Sequence, residues 1–281
     1  MTTAADTLRP IRNPRTRRRR SAPERWFRRN ERLALGVAGV VGFLALWEVG
    51  ARAGVVDEFF FSRPTSIVAA GVREVQLARF WNDVRVSAFE FAVGFVLALV
   101  TAIPLGILIG WYRRLSYMAD PWLNLFNSLP RVALLPLLVL WVGLGVESKV
   151  AVVFLGAFFS IIIPTVQGVR TVDRRFLDVA RSFGASQRRL FVSVVAPATV
   201  PFIATGVRLG VGRALIGVVV GELYAQTDGL GVMISKASNN IQPDRMFFAI
   251  LIFTGAGVLG VEGLRRVERH FDRWRPTLEE Q

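Results

Sequence analysis

Between positions 33 and 263 the sequence settles six times into an apolar run, at 33–50, 88–110, 132–145, 150–166, 201–220 and 247–263. Most approach the roughly 20 residues that an α-helix needs to cross a hydrocarbon core about 30 Å thick. A water-soluble chain of 281 residues can bury a good core with far fewer uninterrupted runs. Lipid offers no partner to backbone N–H and C=O groups, so a crossing segment must be helical or part of a closed barrel. Run length favours helices, and the expected fold is all-α integral membrane with six transmembrane helices. The run 132–145 is short and carries Pro136, which should kink it. The first run comes after a basic head and precedes Ala51-Arg52-Ala53, the outline of a secretory signal. Its near-spanning length, and the further runs downstream, favour a retained first helix.

The net charge of +14 is almost entirely arginine, with Lys149 and Lys236 the only lysines. Nucleic acid, anionic lipid and membrane topology all produce such a balance, and position decides among them. Most of the 35 basic residues fall before Leu33, at Arg113 and Arg114, from Arg170 to Arg189, and from Arg265 to Arg275. The alternate segments hold few: Arg52, Arg63, Arg73, Arg79, Arg85, Lys149, Lys236 and Arg245. Cytoplasmic loops carry the excess of Arg and Lys. Both termini and the segment 173–197 are therefore expected in the cytoplasm of a multi-pass inner-membrane (plasma-membrane) protein. Topology explains the charge without nucleic acid. The expected organisation is a disordered basic cytoplasmic tail at 1–32, with Arg17 to Arg20 consecutive, a transmembrane domain at 33–263, and a cytoplasmic C-terminal tail at 264–281.

With no cysteine, one histidine (His270) and no Gly-rich phosphate loop, the sequence offers no disulfide, no metal-ligand cluster and no ATPase site of its own. No catalytic residue, metal or cofactor is expected. An integral-membrane enzyme would need a catalytic constellation, and no paired intramembrane carboxylates are visible in the sequence. A stand-alone secondary transporter often shows internal repeats, and the two halves show no clear similarity. The outer segment FFSRPTSIVAAGVREV reads as a Pro-initiated amphipathic helix on the outer membrane surface. Thr65 would cap it, with Ile67, Val68, Gly71, Val72 and Val75 apolar. A second outer segment holds Gly229, Gly231 and Asn239-Asn240 around a short apolar stretch at 232–234.

The polar exception in this apolar chain is 173–197, DRRFLDVARSFGASQRRLFVSVVAP. Asp173 can accept from free N–H groups of a first helical turn. Phe176, Val179, Ala180 and Phe183 then share one helix face, while Arg174, Asp178, Arg181 and Ser182 fall largely on the other. Gly184 sits where a glycine would close the helix in a left-handed turn. Ser186 can cap a second helix, and Pro197 should interrupt the apolar stretch it enters. Periodicity alone is equally compatible with an interfacial loop helix whose charges are merely solvated. A DNA-binding helix-turn-helix fits less well, because the neighbours read as membrane spans.

The spacing of this segment resembles the cytoplasmic coupling motif of permease subunits of bacterial ATP-binding-cassette importers. That motif runs Glu-Ala-Ala, three residues, Gly, nine residues, Ile-x-Leu-Pro. Here Asp178-Val179-Ala180 precedes Gly184 by the same interval, and Val194-Val195-Ala196-Pro197 closes the pattern. Four positions depart conservatively: Asp for Glu, Val for Ala, Val for Ile, Ala for Leu. Phe61-Ser62-Arg63-Pro64-Thr65, PRVALLPLLVLWVGLG from Pro130, GVRLGVGRALIGVVVGELYA from Gly206 and GLGVMI after Asp228 resemble the branch serving nitrate, sulfonate, taurine and related solutes. The resemblance covers nearly the whole chain except the basic tail. It implies a type I ABC importer permease fold with a cytoplasmic coupling helix. It also implies separate ATPase subunits that use the ATP, a second permease subunit (an identical copy is expected), and an extracytoplasmic solute-binding protein. In that frame Phe176, Asp178, Val179, Ala180, Gly184, Ala185 and Pro197 are the ATPase-coupling residues.

Polar groups inside a membrane are costly and usually functional. Ser160, Arg208, Arg213 and Glu222 are therefore the candidates for the solute pathway, with Arg208 able to offer positive charge to an anionic solute. The two arginines could equally snorkel to the interface or pair structurally. Gly206, Gly210, Gly212 and Gly217 would let helices approach closely, which is ordinary packing.

Overall fold

The computed structural model describes residues 31–271 apart from Val56 and Gln226. Among the described residues all regular structure is helical. Nearly all of the expected basic head at 1–32, and the end of the expected C-terminal tail at 272–281, lie outside them. The chain divides into two compact units, Met1–Val56 and Asp57–Gln281. In the first, α1 (Glu31–Arg52) carries the first apolar run, and Arg52 pairs with Glu48 one turn earlier at 2.7 Å.

The second unit begins with the single turn α2 (Glu58–Phe61) and then α3 (Pro64–Val75), α4 (Ala78–Trp111) and α5 (Arg113–Ser128). A 3-10 turn (Arg131–Leu134) leads into α6 (Leu135–Val142), followed by α7 (Val146–Arg170) and α8 (Arg174–Ser182). Then come α9 (Gln187–Leu190), a π turn (Phe191–Val195), α10 (Ala196–Ala225), α11 (Leu230–Asn239) and α12 (Pro243–Phe271).

Among the described residues five helical stretches are long and apolar enough to cross a membrane: Leu33–Arg52, Ala78–Trp111, Val146–Arg170, Gln187–Tyr224 and Pro243–Arg266. The run 132–145 is not among them. Pro130 holds Leu129 in extended backbone (φ −70°, ψ 134°), which ends α5. Pro136 does not kink a long helix. It sits in the first turn of the two-turn α6, where its missing N–H costs nothing, and Gly143 at φ 94° closes that helix. Pro197 is likewise absorbed, because the chain stays helical from Gln187 to Tyr224. The π turn just before it passes the Ala196 N–H to the Phe191 carbonyl, five residues back, so the ladder widens instead of breaking.

The heart of the unit is α7, flanked by α4 and α10. Between helices in lipid the hydrophobic effect gives little, so association depends on backbones coming close. On α4, a Cβ added at Gly94, Gly106 or Gly110 would meet Val153, Thr165 or Val169 at 2.7, 2.9 and 2.6 Å. The partner advances in step with the glycine, so α4 and α7 run parallel. On the other side Gly217 abuts Val153, Gly206 abuts Ile161, and Gly156 abuts the Arg213 carbonyl, an antiparallel seam between α7 and α10. Gly206, Gly210 and Gly217 thus pack as expected, whereas Gly212 faces open space. Ala98, Ala102, Val153, Ala157, Ile161, Ala214 and Val218 fill the seams and are fully buried.

Helix α3 docks on the start of α12. Gly71 lies against the Phe248 ring, Glu74 pairs with Arg245 at 3.0 Å, and Arg73 pairs with Asp244 at 3.2 Å. Its N-cap is Arg63, with Pro64 at the first position and no side-chain cap, so Thr65 lies inside the first turn instead of capping it. The buried face is Ile67, Ala70, Gly71 and Glu74, and Val68, Val72 and Val75 point outward.

Candidate functional site

At the α7/α10 turn, α8 is built as its residues dictate. The Asp173 carboxylate accepts from Arg175 N–H at 2.9 Å, satisfying one orphan donor of the first turn. At the other end Gly184, at φ 74°, donates to the Arg181 carbonyl at 2.8 Å, and Ala185 donates to the Ala180 carbonyl at 3.1 Å. This pair of bonds is the Schellman closure. Ala180, Gly184 and Ala185 are therefore joined in one turn, and a Cβ at Gly184 would meet nothing within 4 Å. Ser186 then caps α9, accepting from Arg189 N–H at 3.4 Å.

No residue of α8 is buried. Phe176, Val179 and Phe183 stand 65%, 57% and 87% exposed, an unusual state for large apolar side chains clustered on and beside a nine-residue helix. Among the described residues the Asp178 carboxylate meets Arg181, at 3.2 Å on the surface, which is worth little. Pro197, also exposed, lies beyond the π turn at the start of α10.

The other end of the same helices holds a cluster that the sequence did not reveal. Lys149, 2% exposed on the first turn of α7, donates to Glu90 of α4 at 2.8 Å and to the Thr227 hydroxyl at 3.0 Å. Glu90 and Glu222 are both fully buried and lie close enough to interact. Ser87 donates to Glu222 at 2.5 Å, and Gly231 N–H donates to the other Glu222 oxygen at 2.5 Å. Leu230 N–H donates to Ser87 at 2.9 Å, and Gly229 N–H donates to Asp83 at 3.1 Å. Four elements, α4, α7, α10 and the head of α11, are thereby pinned at one point. Gly229 and Gly231 belong there because a Cβ at either would press on the Glu222 side chain. The absence of paired intramembrane carboxylates in the sequence is thus corrected by the fold, which brings Glu90 and Glu222 together around one lysine. Lys149, expected as an outer-loop charge, is a core residue. Glu90 was the signal available: a lone carboxylate inside an apolar run.

The four expected pathway residues do not converge. Glu222 belongs to this cluster and is closed to solvent. Arg213 is exposed on the side of α10 opposite Glu222, and Arg208 is half-buried about four turns before Glu222 along the same helix. Ser160, half-buried on α7, returns its hydroxyl to the Gly156 carbonyl at 3.0 Å.

Residues 102–273 match the family described as binding-protein-dependent transport system inner membrane component. Among similar proteins, SsuC of Bacillus subtilis strain 168 is 33% identical over 236 residues, 84% of this chain and 86% of that protein; its name assigns it to aliphatic sulfonate transport. The Escherichia coli K12 protein of the same name is 29% identical over 84% of this chain and 90% of its own length. The formylaminopyrimidine transport permease protein ThiX of Halalkalibacterium halodurans is 30% identical over 83% of this chain and 92% of that protein.

Proposed function

Starting from a chain that belongs to the family of binding-protein-dependent transport inner-membrane components, and so is an ABC importer permease subunit, we propose that it carries a small organosulfonate across the inner membrane. A periplasmic-type binding protein would deliver the solute, and a separate ATPase would drive the step. The observation that carries this reading is α8: a capped helix whose Phe176, Val179 and Phe183 stand out from the bundle with no partner of their own among the described residues. Such a knob fits a groove on an ATPase. Phe176, Val179 and Ala180 supply the contact, Asp178 lies at its rim, and Gly184 and Ala185 hold the angle at which α8 meets the membrane helices. A second copy of the chain would complete the pathway. Arg208 and Arg213 would offer positive charge to the sulfonate at separate points of the pathway, with Ser160 a further polar group along it.

Six crossings suit this function, and the parallel course of α4 and α7 supports the sixth. Gly110, at the end of α4, lies by Val169, while Glu90 and Gly94, toward the middle of α4, lie by Lys149 and Val150 at the start of α7. Residues 112–145 must therefore travel the length of α7, about 37 Å at 1.5 Å per residue. Helix α5, the 3-10 turn and α6 together supply that return. The distribution of arginine supports placing both termini and α8 in the cytoplasm.

The chain has no cysteine, so a single Ser182→Cys is a clean probe of sidedness. A membrane-impermeant maleimide should label it in inside-out vesicles and leave it unlabelled in intact cells. Labelling from outside would end the coupling reading whatever the solute. Proteoliposomes with the ATPase and a binding protein should then hydrolyse ATP faster with an alkanesulfonate than without it.

A further inference from the structure

Beneath α8, opposite its outward knob, lies an open cleft of 540 Å³ between the ends of α4, α7 and the start of the α9–α10 helix. Arg174, Leu177 and Arg181 line it from α8, Arg170 lines it from the end of α7, and Trp111 and Tyr112 line it from the end of α4. A helix face turned toward the body of a protein ordinarily carries apolar residues; this one carries two arginines at positions i and i+7. Arg170 engages Asp120 at 2.6 Å, and Arg181 engages Asp178 at 3.2 Å. Among the described residues Arg174 has no ion pair. Two carboxylates thus face three guanidinium groups. Each guanidinium has five N–H donors in a fork suited to an oxyanion, so most of the donors remain unused by the carboxylates. Trp111 and Tyr112 end a spanning helix, the level at which aromatic side chains meet headgroups.

We propose that this cleft is a phosphate-class oxyanion site, held by Arg174 with Arg170 and Arg181, whose occupant is an anionic phospholipid headgroup or free phosphate. Basic pockets between membrane helices bind such headgroups. An occupant would tie the inner face of α8 to the membrane surface, and so set the resting position of the helix.

The test uses the purified full-length chain in neutral detergent. It is titrated with dioctanoyl phosphatidylglycerol, with dioctanoyl phosphatidylcholine, and with inorganic phosphate, reading heat of binding and the thermal unfolding midpoint. Phosphatidylglycerol should bind and raise the midpoint where phosphatidylcholine does not, and Arg174→Gln should weaken it by about fivefold. Arg175→Gln, on the same helix but outside the cleft, should leave binding unchanged and serves as the control. Binding of inorganic phosphate that is weakened by Arg174→Gln, with no preference between the two lipids, would support the site and assign it to free phosphate. Equal response to both lipids with no phosphate binding would overturn the proposal. So would an Arg174→Gln chain that keeps its wild-type unfolding midpoint without ligand and binds as tightly as wild type.

Discussion

At one end of the α4–α7–α10 bundle Glu90, Lys149 and Glu222 are sealed from solvent. At the other, Phe176, Val179 and Phe183 are turned out into it. Each end reverses what a self-sufficient fold would do. Burying charge is expensive unless it is paired and hydrogen-bonded, and most of the sealed end meets this. Lys149 donates to Glu90 and Thr227, and Ser87 and the Gly231 N–H donate to Glu222, while Glu90 Oε2 has no hydrogen-bond partner among the described residues. Exposing large apolar side chains forgoes their burial, and nothing else within α8 offsets it. The contrast teaches which end is finished within the chain and which awaits a partner: substitutions in the first should cost stability, and in the second assembly or transport.

The largest effect should come from Lys149→Met. It strands a buried carboxylate and should cost about 3–5 kcal/mol, read as a lowered unfolding midpoint and poor recovery of folded protein. A midpoint near wild type would break the comparison, since the sealed end would then not hold the fold. Glu222→Gln keeps the shape but weakens two hydrogen bonds, and about 1–3 kcal/mol of stability should go, measured in the same way. At the open end, Gly184→Val forces a branched residue to φ 74° with no clash around it, so about 1–2 kcal/mol of backbone strain is the whole cost. Transport in proteoliposomes should fall while the ATPase still co-purifies; undiminished transport would mean that the angle of α8 does not matter. Smallest in stability is Phe176→Ala, within about 0.5 kcal/mol, because the ring touches little. Yet it should abolish co-purification of the ATPase. A large loss of stability there would show that the open end is part of the core.

The open end was legible because its signals are local. Asp173 as cap, the spacing of Phe176, Val179 and Phe183, and the left-handed Gly184 all lie within twelve residues, and each acts on its immediate neighbours. The sealed end was not, because Glu90 and Lys149 are 59 positions apart and Ser87 and Glu222 are 135 apart. Nothing in the periodicity of either helix announces the other. The membrane helices themselves were visible as apolar runs, apart from 132–145, where Pro130 just upstream ended one helix and Pro136 within the run began another. Pro197 misled in the opposite direction: a single π turn upstream absorbed a residue that propensity alone would read as a stop. Arg63 in place of Thr65 as the cap of α3 is a shift of two residues, set by Pro64 claiming the first helical position.

The glycine seams on either side of α7 have a mechanical meaning. At Gly94, Gly106, Gly110, Gly156 and Gly217 not even a methyl group fits without something shifting, so these three rods are riveted into a single plate. A plate of that kind cannot part along its rivets to let cargo by. It swings or tilts whole, and any opening for a solute forms along its border.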